Sequence, residues 1–246
     1  MQITHRTVLV VGGTSGIGRG LAQRFADAGS TVVLGGRAPR PQDGFDTVPV
    51  DVTDPGSVLR ARDLVLAAHP DLDVVVTMSG VMLTEDLRDP AHITAAETTI
   101  ATNLLGTVRV VDAFTPHLVA RGQGTVLTVS SGIAFLPFPL MPSYAASKAG
   151  VHAYTEALRA QLAGTGVEVA EIVPPAVATA GQEEVNPAAL PLAGYLDEVM
   201  TLLAADPTPS EVLVEGVRGH RWAERDGTYA DLVARRSQAL STLPGR

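Results

Sequence analysis

Cysteine is absent from the 246 residues, which excludes a disulfide framework, a zinc–thiolate site and a thiol nucleophile. Lysine is almost absent too: of the 18 basic residues only Lys148 is lysine, and the rest are arginine. Positive charge does not predominate either. A net charge of −8, with no basic stripe, argues against a nucleic-acid partner, because neutralising phosphates takes Lys and Arg clustered on one face. No apolar run approaches the roughly 20 residues of a membrane-spanning helix. Residues 1–6 are polar and lead into an apolar run at 8–11 too short for a signal peptide. A soluble, cytoplasmic protein is therefore expected. The six histidines include no pair at i,i+3 or i,i+4, so no metal site is expected, and the lack of a Gly-x-Ser-x-Gly elbow removes an α/β-hydrolase reading.

What is present is alternation. Short β-branched runs at 7–11, 31–34, 47–50, 73–77, 124–129 and 167–173, with a weaker one at 211–214, are separated by longer amphipathic stretches. That is the pattern of βαβ units building a parallel sheet covered on both faces. Helices are expected to start near 16, 54, 91, 143 and 191, with a last one over 228–240. Asp54-Pro55 and Asp89-Pro90 mark two starts, since an Asp cap followed by Pro at the first helical position satisfies free N–H groups and fixes φ. The segment 174–191 breaks the alternation and reads as a substrate loop or as an ordered surface connection. With no repeat and no linker, the expectation is one doubly wound, Rossmann-like α/β domain spanning 1–246.

The first strand runs into Gly12-Gly13-Thr14-Ser15-Gly16-Ile17-Gly18 and then an amphipathic helix. In this context Gly12 permits a sharp turn, Gly16 lets backbone N–H groups approach a pyrophosphate, and Gly18 lets the helix pack close to the sheet. Residues 12, 14, 15, 16, 17 and 18 are thus candidate cofactor contacts. The second strand ends Gly35-Gly36-Arg37, where an NAD enzyme would place an acid for the ribose hydroxyls. Arg37 instead offers a fork for the 2′-phosphate of NADP, with Ser15 and Arg40 as helpers; the alternative is a solvated loop arginine. Asp51 is placed to accept from an adenine amino group or to make an ordinary contact at a helix start.

Tyr144 and Lys148 lie four residues apart at the start of a helix, hence on one face. A phenol near its ordinary pKa of about 10 is a poor base, and a neighbouring ammonium together with an oxidised nicotinamide is expected to bring it down. A chain that otherwise uses arginine keeps lysine here, where a compact ammonium suits a ribose diol and a fork would not.

The glycines at 12, 16 and 18, Asp51-Val52, Asn103-Leu104-Leu105-Gly106, Ser130-Ser131-Gly132, Tyr144 with Lys148, and the stretch 174–179 together resemble the short-chain dehydrogenase/reductase family over nearly the whole chain. The resemblance implies Tyr144 as general acid/base, Lys148 on the nicotinamide ribose, Ser131 orienting the substrate oxygen and Asn103 holding a relay water. It adds Val52, Gly80 and Pro174 to the cofactor contacts, and Val177 and Thr179 at the carboxamide. It also implies a homodimer or homotetramer built through the helices bearing Asn103 and Tyr144. Taken singly, Ser131 reads equally as a turn cap and Asn103 as a satisfied core amide.

The chain departs from the family pattern at Val11, at Thr77-Met78-Ser79-Gly80 and at Pro174-Pro175. The first two are read as a paired loss of polar partners between the first and fourth strands, which can be nearly neutral. The expected function is NADP(H)-dependent hydride transfer, NADP(H) preferred over NAD(H), to or from a small carbonyl or alcohol. The apolar stretch 133–141 suggests an apolar substrate wall or an oligomer contact. A non-redox isomerase or cyclase on the same fold is the alternative, motivated by 77–80, and a non-catalytic nucleotide-sensing scaffold is a third. His152 is read as a helix-surface or interface residue, and Glu183-Glu184 as solvated.

Overall fold

Valine-rich runs too short for helices become strands because β-branched side chains fit a pleated surface packed on both sides. The computed structural model describes residues 1–39, 44–179 and 189–245. Its first half runs β1 (Thr7–Val11), α1 (Gly16–Asp27), β2 (Thr31–Gly36), β3 (Asp46–Pro49), α2 (Pro55–Ala68), β4 (Val74–Thr77), α3 (His92–Ile100) and α4 (Gly106–Arg121). Then follow β5 (Gly124–Val129), α5 (Pro142–Gln161), β6 (Val167–Ile172), β7 (Val177–Ala178), β8 (Leu190–Pro191), α6 (Leu192–Leu203), β9 (Glu211–Val212), α7 (Glu215–Arg221) and α8 (Tyr229–Ser237).

Seven parallel strands form one sheet in the order β3-β2-β1-β4-β5-β6-β9. The expected single doubly wound α/β domain is the fold observed. Side chains alternate across it. Val8 and Val10 enter a core with Leu21 and Phe25 of α1 and Tyr195, Leu196 and Val199 of α6. Leu9 and Val11 enter a second core with Val58, Ala61 and Val65 of α2 and Val110, Val111, Phe114 and Leu118 of α4. The chain order reverses between β1 and β4, and the C-terminal ends of these strands open a crevice, the usual ligand position in such sheets.

Asp54 caps α2 as expected, its side chain accepting from Gly56 N at 2.8 Å with Pro55 in the first turn. Asp89 instead accepts from Ala91 N at 2.9 Å in a turn, and α3 begins at His92. The long helix expected from about 91 is interrupted: Ala101–Leu105 forms one π turn between α3 and α4. Helix α7 was not anticipated, its seven residues being too few for a periodic signal. The final helix stops at Ser237 and tightens into a 3₁₀ turn, Gln238–Thr242. Within 174–191, Val177–Ala178 pairs in parallel with Leu190–Pro191. Residues 180–188, with Glu183-Glu184, and Arg40 lie outside the described residues.

The repacking between β1 and β4 is not neutral. Val11 pairs with Thr77, and the Thr77 hydroxyl is buried with no hydrogen-bond partner. Backbone pairing continues past it, Met78 N donating to Val11 O at 2.7 Å, so the strands stay joined through the main chain.

Candidate active site

The crevice is a cleft of about 1680 Å³, larger than the roughly 300–1,000 Å³ of an ordinary small-molecule pocket. It is lined by Gly12, Thr14, Ser15, Gly16, Ile17, Gly18, Arg37, Asp51, Val52, Gly80, Ser131, Tyr144, Lys148, Pro174, Val177 and Thr179. Among the described candidates, Asn103 alone does not line it.

Crowding explains the glycine turn. Gly12 has φ +93°, and a Cβ there would come within 2.5 Å of Ser79 N and 2.7 Å of Met78 C, both backbone atoms of the segment after β4. A Cβ on Gly18 would come within 2.2 Å of Gly12 O, so helix α1 packs onto the turn itself as well as onto Met78. Gly16, at φ +52°, is less crowded, its nearest neighbour being Thr179 Cγ2 at 3.5 Å from an added Cβ. Thr179 therefore sits over the turn.

Ser15 is the N-cap of α1 but its side chain caps nothing, and no acid stands in the first turn. The first N–H groups of a helix and its positive pole thus face the cleft without a built-in anion, which suits a diphosphate. Arg37 follows β2 on the same wall. Asp51 Oδ1 accepts from Thr53 N at 2.9 Å and Thr53 Oγ1 at 2.7 Å, which hold the carboxyl below its ordinary value, with the Arg37 charge assisting. Arg109 Nη1 donates to Val52 O at 3.0 Å and fixes this rim to α4, a contact between distant segments that the sequence does not signal.

Helix α5 brings Tyr144 and Lys148 onto one face, Lys148 Nζ lying 5.8 Å from the tyrosine ring centroid. Nζ donates to Val129 O at 2.8 Å. Burial lowers the lysine to about 8, opposed by the Glu171 carboxylate. Among the protein's own groups, burial raises the Tyr144 phenol and a hydrogen bond with Ser131 offsets part of the rise; the expected lowering adds the charge of an oxidised nicotinamide to these. Desolvation of the would-be phenolate dominates, because the ammonium lies beside the ring. Ser131 is both of the things it was read as. Its side chain accepts from Ile133 N at 3.3 Å, capping the short 3₁₀ turn Gly132–Ala134, and it also meets the Tyr144 hydroxyl.

Asn103 sits in the π turn, fully buried, and such turns recur at functional sites. Its Oδ1 accepts from Val81 N at 2.8 Å, while Nδ2 donates to Val81 O at 2.9 Å and Ser147 Oγ at 3.1 Å. Both amide donors are consumed in tying the segment after β4 to α5, the satisfied-amide arrangement. A Cβ on Gly80 would meet Asn103 Oδ1 at 3.3 Å, so a glycine there spares the amide.

Two further features were missed. Glu85, buried in a segment without regular structure, accepts from Ser143 N at 2.9 Å and from Ser143 Oγ at 2.8 Å. It is a remote carboxylate cap on the helix that carries Tyr144. His152 is half-buried: its Nδ1 lies 2.8 Å from Glu171 Oε2 and its ring stands edge-on to Phe135. The Glu171 hydrogen bond raises the imidazole pKa. His152, Glu171 and Glu211 gather ligand-type atoms within 4.8 Å, with Arg221 Nε and Nη2 holding both Glu211 oxygens at 2.8 and 2.9 Å. These residues come from separate elements, and histidine spacing alone gives no sign of the cluster.

The profile of the short chain dehydrogenase family matches residues 6–189. An uncharacterized oxidoreductase of Bacillus subtilis (strain 168) is 33% identical over 189 residues, 73% of this chain and 74% of that protein. Another, of Staphylococcus aureus (strain MW2), is 30% identical over 224 residues, 87% and 96% of the two chains. A short-chain dehydrogenase of Burkholderia cenocepacia J2315, solved in complex with NADP, superposes with a TM-score of 0.82 at 25% identity, covering 95% of this chain and 99% of that one. One of Streptomyces avermitilis superposes at 0.80 with 23% identity, over 98% and 100%. Sequence profile, fold and the position of the cleft agree, and the chain belongs to the short-chain dehydrogenase family of oxidoreductases.

Proposed function

We propose that the protein is an NADP(H)-dependent carbonyl reductase or alcohol dehydrogenase, with Tyr144 as the proton-transferring group. The observation that carries this is the convergence of Ser131, Tyr144 and Lys148 with the glycine turn and Arg37 on one cleft. The dinucleotide diphosphate is assigned to the start of α1, the 2′-phosphate to Arg37, and the nicotinamide end to Val177 and Thr179. A bound nicotinamide supplies or accepts the hydride.

Ser131 orients the substrate oxygen, and Tyr144 gives it a proton as the carbonyl carbon becomes a carbinol. A phenol raised by burial is protonated at neutral pH, so the resting group is an acid able to give the carbonyl oxygen its proton. Lys148 holds the ribose and, when charged, steadies the phenolate that the transfer leaves behind. Asn103 keeps α5 and the segment after β4 in register. Part of the same reading is a cytoplasmic homodimer or homotetramer; the exposed Ile93 and Leu105 on the α3–α4 segment support a contact there. Purified protein with NADPH and a panel of ketones and aldehydes should form alcohols, and Tyr144→Phe should abolish this while leaving the fold intact. Turnover unchanged in Tyr144→Phe, or product without nicotinamide oxidation, would reject the reading.

A further inference from the structure

Helix α8 puts a third cation into the cleft, in addition to Arg37 and Lys148. Arg236, on α8, lines it together with His220 of α7 and Thr242. Its Nη1 donates to Leu136 O, and its Nη2 donates to His220 Nε2 at 3.1 Å. The imidazole in turn lies against Gly132, where an added Cβ would come within 2.8 Å of His220 Nδ1. Gly132 directly follows Ser131, so the guanidinium stands one imidazole's width beyond the residue that meets the Tyr144 hydroxyl.

This cation is unlike three arginines of the α7 region. Arg218, Arg221 and Arg225 each pair with a carboxylate, Glu215, Glu211 and Asp226 respectively. Among the described residues no carboxylate pairs with Arg236, and burial alone shifts its pKa, downward. A desolvated charge without a counter-ion is costly, and a ligand that brings the anion removes the cost. His220 is built to tolerate it: burial and the Arg236 charge push the imidazole down to about 4, so it is neutral at physiological pH and accepts the guanidinium N–H. Of the five guanidinium donors, two are engaged and three are left. The lining of the same cleft includes the apolar Ile133, Phe138, Leu140 and Met141.

We propose that Arg236, backed by His220, forms an anion subsite at the substrate end of the cleft, and that the substrate is a carbonyl compound bearing a carboxylate a short apolar chain away. This rests on the carbonyl-reductase reading and replaces a purely apolar substrate with one that carries a charge at its far end. Arg236 is a specificity residue, while the proton still comes from Tyr144.

The test is calorimetric binding of 4-oxopentanoate and of its neutral counterpart 2-pentanone to the NADP-loaded protein, paired with their turnover under NADPH. Arg236→Gln should weaken 4-oxopentanoate binding about tenfold or more, the loss of charge-assisted hydrogen bonds, and Arg236→Lys should restore part of it. KM for 2-pentanone should move less than about twofold if the loss is confined to those bonds. An equal loss for both ligands, or 4-oxopentanoate binding no tighter than 2-pentanone in the wild type, overturns the proposal by reducing Arg236 to a brace for the Leu136 segment. If Arg236→Gln does not fold, competition on the wild type decides: butyrate should displace 4-oxopentanoate and butyramide should not, and equal displacement overturns it. Arg236-dependent binding without turnover of either ligand leaves the anion subsite standing and removes the reductase reading instead.

Discussion

Replacing Glu85 with alanine removes a carboxylate whose two oxygens are both used by Ser143 at the start of α5, one residue before Tyr144. The carboxylate is buried, so water does not readily take its place. Ser143 N, Ser143 Oγ and the more distant His92 Nδ1, 3.3 Å from Oε2, lose their partner, and at about 1–3 kcal/mol for each unsatisfied buried group, discounted because Ser143 and His92 are partly exposed, the expected destabilisation is about 2–4 kcal/mol. For a domain of this size that corresponds to a fall in Tm of roughly 5–15 °C. The first turn of α5 should fray, and turnover should fall by more than the unfolded fraction explains. Thermal melting with a double-mutant cycle isolates the contact: Ser143→Ala removes the hydroxyl donor, so the two changes together should cost less than their sum. A Tm within experimental error of wild type for Glu85→Ala, or strict additivity, would refute the view that this remote carboxylate positions the tyrosine helix.

Gly18→Ala would place a methyl within 2.2 Å of the Gly12 carbonyl, so α1 must move off the turn; loss of dinucleotide binding by calorimetry is expected, and retained affinity would contradict the packing account. His220 has a folded-state pKa of about 4 against an ordinary 6.5, so between these values the unfolded chain binds the extra proton. Stability should therefore rise with pH across that window and be lost on acidification, and His220→Gln should flatten this part of a urea-unfolding series. His152 acts in the opposite sense, because its raised pKa gives stability that is full below 6.5 and is lost as pH rises through the folded value. His152→Gln should remove a fall in stability as pH rises above 6.5, and an unchanged slope in both variants, each in its own window, would contradict the assignments.

The elements that the sequence revealed are those set by local rules. Short β-branched runs marked β1 through β6, the Asp54-Pro55 pair marked the start of α2, and the glycine spacing placed the turn where β1 meets α1. The cleft residues were legible for the same reason, since each follows a strand end or opens a helix. What escaped depends on contacts between distant segments. Glu85 reads as an ordinary loop acid until Ser143 is seen against it, and Arg236 reads as one arginine among many until α8 is laid over Gly132. The π turn at Ala101–Leu105 leaves no mark on an apolar helical pattern. The upward push of burial on the Tyr144 phenol was not legible either, because neighbouring charge can be read from i,i+4 spacing, whereas desolvation by the surrounding chain cannot.

The account's central claim is that a nicotinamide dinucleotide carrying a 2′-phosphate lies between the glycine turn and Tyr144. Titration of wild type and Arg37→Ala with NADPH and NADH, followed by nicotinamide fluorescence, tests it directly. Tighter NADPH than NADH binding is predicted in the wild type. With Arg37→Ala, NADPH affinity should fall about 10- to 100-fold, the value of a charge-assisted phosphate contact, and NADH affinity should stay the same. Equal affinities that Arg37→Ala leaves untouched would contradict the cofactor assignment, and no binding of either nucleotide would contradict the claim itself.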